Sequence, residues 1–173
     1  MRTVFFREDD YSLKELLPLS ATGEFLDEIY KNETFNLVRT NKICSDDMYK
    51  DDEAAKGLGK FEITPRKLKD ALFFLPVFDK VETDSDNLKS ECKHINAMGE
   101  NEGTAVYWSE NGGGFVDALW LKLKSEDSRE ETKKILTALG KLANVILADR
   151  QFDCCVDLRS ETDIDDYLNL INF

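Results

Sequence analysis

With 173 residues and a net charge of −12, the chain can bury one hydrophobic core without disulfide staples. It is also too acidic for phosphate backbones or anionic lipid to be favoured ligands. Hydrophobic residues at 42% and charged residues at 34% argue against both a disordered tail and a membrane protein, and no apolar run approaches the roughly 20 residues of a spanning helix. One globular domain over residues 1–173 is therefore expected, with neither nucleic acid nor membrane as a partner. The apolar patch at Val4, Phe5 and Phe6 is cut short by Arg7, unlike a signal-peptide core. Four cysteines, Cys44, Cys92, Cys154 and Cys155, are too few and too irregularly spaced for a secreted disulfide framework. A cytoplasmic location with reduced thiols is the expectation.

In chain order, residues 3–7 read as a short strand, and residues 11–17 as a second that could pair with it after an acidic turn. Phe25, Leu26, Ile29 and Tyr30 recur at helical spacing, predicting a helix over residues 23–31. Phe35 and Leu37 alternate like a strand ending near Arg39, and residues 41–60 show no period. Thr64-Pro65 begins a helix, because Thr can cap and Pro lacks the amide that would go unpaired at the first helical position. Its stripe is Leu68, Leu72 and Leu75, and Pro76 ends it. Thr83 and the three polar residues after it suggest a second capped helix carrying Leu88, Cys92 and Ile95, stopped at Gly99.

Residues 104–109 and 115–124 are strands around the hairpin loop Gly112-Gly113-Gly114. Strict alternation in the second would put Phe115, Asp117, Leu119, Leu121 and Leu123 on one face. Ser128-Arg129-Glu130-Glu131 fits a capping box for a helix with the stripe Ile135, Leu139, Leu142 and Ile146. Residues 152–158 read as a strand, and Ser160 caps a terminal helix with Ile164, Leu168 and Ile171 inward. The fold class that results is α+β, a single domain with an antiparallel or mixed sheet and helices packed on one face. The patterning leaves strand order and oligomeric state open.

No complete catalytic, metal or cofactor motif emerges. His94 is the only histidine, and Cys92, two positions away on a predicted helix, would not face it. Cys154 and Cys155 would point to opposite faces of a strand, and no C-x-x-C pair accompanies them. Gly57-Leu58-Gly59-Lys60 lacks the spacing and the following Ser or Thr of a phosphate loop. Asp84-Ser85-Asp86 opens like a calcium loop, but Leu88, Lys89 and Ile95 occupy positions where ligands or glycine belong. No catalytic residue, metal ligand or cofactor is assigned, and an enzyme is the less favoured reading.

Two acidic clusters stand out. One holds Asp46, Asp47, Asp51, Asp52 and Glu53 around Tyr49, and the other holds Asp153, Asp157, Glu161, Asp163, Asp165 and Asp166 beside Tyr167. An aromatic anchor with a charged rim is an interface pattern, so Asp46, Asp47, Tyr49, Asp51, Asp52, Glu53, Asp163, Asp165, Asp166 and Tyr167 are the candidate partner-binding residues. Phe6-Arg7-Glu8-Asp9-Asp10-Tyr11 followed by Leu16-Leu17-Pro18, with the strand, helix, strand and helix of residues 115–173, resembles small bacterial immunity proteins of contact-dependent and polymorphic toxin systems. The resemblance covers the two ends of the chain and not its middle, and no motif carries a functional residue across. It implies a non-enzymatic protein that neutralises a toxin domain, one that the acidic balance suggests is basic, by occluding it. The alternatives are a small enzyme with a carboxylate site near Asp117, a residue that would either line a cleft or sit at a sheet edge, and a structural adaptor subunit.

Overall fold

The computed structural model describes residues 1–7, 13–38, 57–85, 88–123 and 129–171. Its centre is a six-stranded antiparallel sheet in the order β5-β6-β7-β2-β8-β9, formed by β2 (Leu13–Pro18), β5 (Ile95–Gly99), β6 (Ala105–Glu110), β7 (Val116–Lys122), β8 (Val145–Asp149) and β9 (Cys154–Asp157). A smaller sheet is made by β1 (Thr3–Phe5), β3 (Lys80–Ser85) and β4 (Leu88–Glu91), with β1 and β3 parallel and β3 and β4 antiparallel. The helices are α1 (Thr22–Val38), α2 (Pro65–Ala71), α3 (Arg129–Gly140) and α4 (Glu161–Leu170). The chain is an α+β domain, as its patterning predicts.

Strand parity sorts the core into layers, since alternate residues of a strand face opposite ways. Leu16, Val106, Trp108, Leu119, Leu121, Val145, Leu147 and Val156 face Leu68 of α2, Ile135, Leu136 and Leu139 of α3, and Ile164, Tyr167 and Leu168 of α4. The residues of opposite parity serve two further clusters. Leu17, Ile146 and Ala148 receive Phe25 and Ile29 of α1, while Ala97, Ala105 and Tyr107 receive Val4, Phe6 and Val81 of the small sheet and its approach. Among the described residues, α2, α3 and α4 thus lie on one face and α1 on the other.

Several elements depart from the sequence expectations, each for a physical reason. Residues 83–85, 88–91 and 95–99 form strands rather than a capped helix, because Val81 is buried between β1 and β4 while Ile95 and Ala97 alternate inward against β6. Leucine and cysteine four apart are compatible with either structure over so short a run. Residues 35–37 continue α1 instead of starting a strand, since each residue added to an existing helix gains a hydrogen bond without a new nucleus. Ile146 lies in β8, where all five residues are buried. A strand covered on both faces shows no alternation, so its apolar run looked like the end of a helix. β1 and β2 do not pair with each other and belong to different sheets.

Between Ser109 and Glu110 the β6–β7 register slips: Ala118 opposes Ser109 and Val116 opposes Glu110, leaving Asp117 as the extra residue of a β-bulge. The bulge puts Val116 and Leu119 both into the core and turns Asp117 out to solvent, so the charge predicted among apolar neighbours is never buried. At the opposite side of the sheet, Gly140 ends α3 where a Cβ would lie 2.0 Å from the carbonyl oxygen of Leu158. Backbone cannot yield as a flexible side chain does. Gly140→Ala is expected to lower stability by about 2–4 kcal/mol in a urea melt, as other overpacked sites do.

Candidate functional site

The terminal helix α4 carries the second acidic cluster, and its construction decides which carboxylates face outward. Ser160 caps it, accepting from the Asp163 amide at 3.2 Å and donating its hydroxyl to Asp163 Oδ1 at 2.7 Å. Glu161 and Asp163 in the first turn also suit the positive end of the helix dipole. Lys133 of α3 reaches Asp165 at 2.8 Å and Glu161 at 3.0 Å, while Arg129 donates to the Asp165 carbonyl at 3.3 Å. These two carboxylates hold Lys133 above the usual lysine range, its hydrogen bond to Asp165 contributing most. Asp157 is clasped by Arg159 at 2.6 Å and is pulled below the ordinary carboxylate range by that hydrogen bond. From this cluster Asp153, Asp163 and Asp166 are the exposed residues besides Glu161, whereas Asp165 ties α4 to α3.

Tyr167 does not present its ring to a partner. It is 3% exposed, and its hydroxyl donates to Asp149 Oδ2 at 2.8 Å. Asp149, 0% exposed, also pairs with Lys14 at 3.3 Å, and Lys14 itself is 2% exposed. The other oxygen of Asp149 accepts from the amides of Gln151 at 2.9 Å and Phe152 at 3.3 Å. A buried charge this well supplied with donors is stable, whereas the same charge with one donor removed is costly. Burial and the neighbouring Asp149 push the Tyr167 phenol far up, and burial with the same neighbour pushes the Cys154 thiol up to about 11. Cys154 is an inert half-buried thiol.

Neither Lys14 nor Asp149 had emerged from sequence reasoning, although parity carries the signal. Lys14 has the phase of Leu16, and Asp149 that of Val145 and Leu147, all facing the helices. A charge in phase with core positions on two strands that prove to be adjacent is the mark of a buried pair. The next residue, Arg150, turns to the opposite face, where it meets Glu15 at 3.0 Å and Glu28 of α1 at 3.8 Å, its guanidinium 5.5 Å from the Phe25 ring.

The first acidic cluster, Asp46, Asp47, Tyr49, Asp51, Asp52 and Glu53, lies outside the described residues. Cys154 and Cys155 do face opposite sides of β9, each joining a different core cluster. Exposed Asp117 sits beneath Gly57 and Gly59: a Cβ on Gly59 would come within 2.9 Å of Asn111 Nδ2 and 3.0 Å of Asp117 Oδ1. Among the described residues no group of three or more His, Cys, Asp or Glu side chains could hold a metal ion, and no helix is long and apolar enough to cross a membrane. In comparisons with protein-family models, curated proteins and solved structures, the chain matches none.

Two measurements follow from the buried network. Lys14→Met is expected to cost about 3–5 kcal/mol in chemical denaturation, whereas Lys14→Met with Asp149→Leu should cost much less than the two singles together, since no charge is left stranded. Because the phenol of Tyr167 is raised above its ordinary value of 10.0 only in the folded state, the unfolded chain loses that proton first. Stability should fall as pH rises above about 10, and Tyr167→Phe, at a cost of about 1–2 kcal/mol near neutrality, should remove that part of the fall.

Proposed function

We propose that this chain is an immunity-type protein, acting in the cytoplasm of the producing cell, that binds a cationic toxin domain and neutralises it by occlusion. The observation that carries this reading is the outward face of α4, where Asp163 and Asp166 stand on a helix held to α3 by Lys133 and Arg129 and to the sheet through Tyr167. Rigidity matters because a charge fixed before encounter loses little side-chain entropy on binding. α4 carries no lysine or arginine, and its acids sit within a chain of net charge −12. Such a field accelerates encounter with a basic surface and can fill a site shaped for phosphate.

The mechanism is steric and electrostatic, and it requires no catalytic group. Long-range attraction brings the basic domain to α4, and the exposed carboxylates then occupy the positions that its substrate's phosphates would take.

The test is affinity capture from lysate of the source organism at low salt, followed by an activity assay of what is retained. A basic protein eluting as salt rises, whose toxic activity is abolished by stoichiometric addition of the chain, is the expected result. Retention of nothing basic, or of a protein whose activity is unaffected, contradicts the reading. Asp163→Lys with Asp166→Lys should slow association about tenfold at low ionic strength, with the difference shrinking as salt is added.

A further inference from the structure

The two ends of the six-stranded sheet are finished differently. At β5 the chain returns to cover its own edge: Val77 bridges Met98, the Phe78 amide donates to the Ala97 carbonyl at 3.0 Å, and the Gly99 amide donates to the Pro76 carbonyl at 2.9 Å. At β9 the one neighbouring strand among the described residues is β8. Antiparallel strands alternate between hydrogen-bonded and non-bonded pairs, so parity tells which peptide groups of β9 are left over. The Leu19 amide donates to the Asn144 carbonyl at 2.9 Å, and in that phase Ile146 and Ala148 bond to Leu17 and Glu15 of β2. The Leu158 amide donates to the Val145 carbonyl at 3.4 Å, and in that phase Val156 and Cys154 bond to Leu147 and Asp149. Cys155 and Asp157, both only partly buried, therefore turn their peptide groups away from β8. The Asp157 carbonyl accepts from the Ser160 amide at 3.0 Å. Among the described residues, the Cys155 amide and carbonyl and the Asp157 amide remain as a short row with no backbone partner.

An open edge is a template for a strand of another chain, and its surroundings decide which one. On one face of β9, Cys155 joins the cluster of α1, and on the other Cys154 joins that of α4. Glu24 and Asp27 are exposed on α1, Asp153 in the turn that leads into β9, and Asp163 and Asp166 on α4. Burial pushes the Cys155 thiol up and the charge of Asp163 pushes it further, which puts that carboxylate close to the edge. The guanidinium groups of this region are already committed, Arg159 to Asp157 and Arg150 to Glu15 and Glu28. A second copy paired edge to edge would bring the carboxylates of both chains together, and like charges across a strand pair are destabilising. An added strand points its side chains alternately to both faces, where lysines and arginines meet acids on either side.

We propose that β9 accepts an extended basic segment of the protein partner as a further strand, through the Cys155 amide and carbonyl and the Asp157 amide. The inference rests on the reading of α4 as the face that attracts a basic partner, and it adds the backbone contact that fixes the partner's register. Main-chain hydrogen bonds supply affinity in this mode, while the flanking carboxylates select the sign of charge.

The experiment is amide hydrogen exchange, followed by NMR on the full chain at low ionic strength, with a synthetic peptide in which Lys alternates with Val. A second peptide of the same sequence is N-methylated at every residue, which keeps the charge and removes the backbone donors. Expected is saturable slowing of exchange at Cys155 and Asp157 by the first peptide, with the second binding about tenfold more weakly. Cys155→Pro deletes an outward amide without touching the ladder to β8 and should weaken binding about fivefold, whereas Cys155→Ala should not. The two peptides are compared on the native chain, so a folding defect in the proline variant cannot mimic the result. The proposal is overturned if Cys155 and Asp157 gain no protection, or if both peptides bind equally; equal binding leaves the acidic-face reading standing, and that reading fails separately, in the lysate capture. It is also overturned if a peptide with Glu in place of Lys binds as well, or if sedimentation shows a dimer that Cys155→Pro dissociates.

Discussion

The carboxylate of Asp149 is the point on which the layers of this protein depend. It sits at the end of β8 with no exposure to solvent, and it gathers donors from β2 through Lys14, from α4 through Tyr167 and from the turn before β9 through two amides. A charge in the interior is tolerated only where the surrounding groups replace its water. Satisfying Asp149 therefore constrains the register of β2 against β8, the path of the turn and the rotation of α4 about its axis, all at once. A hydrophobic residue in its place would pack without dictating any of these. Because Arg150 follows and reaches α1 from the other side of the sheet, two adjacent residues fasten helices on both faces.

This arrangement separates two roles that acidic residues play here. Asp149, Asp157 and Asp165 are committed to internal partners and shape the molecule. Asp163 and Asp166 face solvent on the helix so shaped. The proposed function uses only the second group, but its geometry is inherited from the first. The helical layer also changes character across its width, from the lysines and exposed phenylalanine at α2 to the carboxylates of α4, with α3 and its mixed charges between them.

Much of this was legible in the residue pattern, and the failures share a cause. The caps at Thr64 and Ser160 formed as their chemistry dictates, because a cap is a local bargain between one side chain and one amide. The β6–β7 hairpin was equally plain, since its loop and the apolar runs flanking it are local signals. What escaped was whatever depended on burial from two sides or on distant pairing. β8 has no alternation because both of its faces are covered, and the β3–β4 hairpin is fixed by a parallel partner nearly eighty positions earlier. The bulge at Asp117 is another such case, where one unpaired residue reverses the parity on which the expected face rested. As for the site, the acidic cluster was visible as composition, but composition could not say that Tyr167 is an internal brace and not a surface anchor.

In the proposed complex, surface carboxylates on α4 bring the partner in while the buried network holds the helix that keeps it. Comparing partner association and dissociation rates for the native chain and Tyr167→Phe tests this most directly, because the substitution leaves every surface charge in place and removes the hydroxyl that ties α4 to Asp149. The expected result is an unchanged association rate with dissociation faster by severalfold, because the binding element is less firmly held. Identical dissociation rates would contradict it and would mean that the acidic helix does not contribute its geometry to the complex.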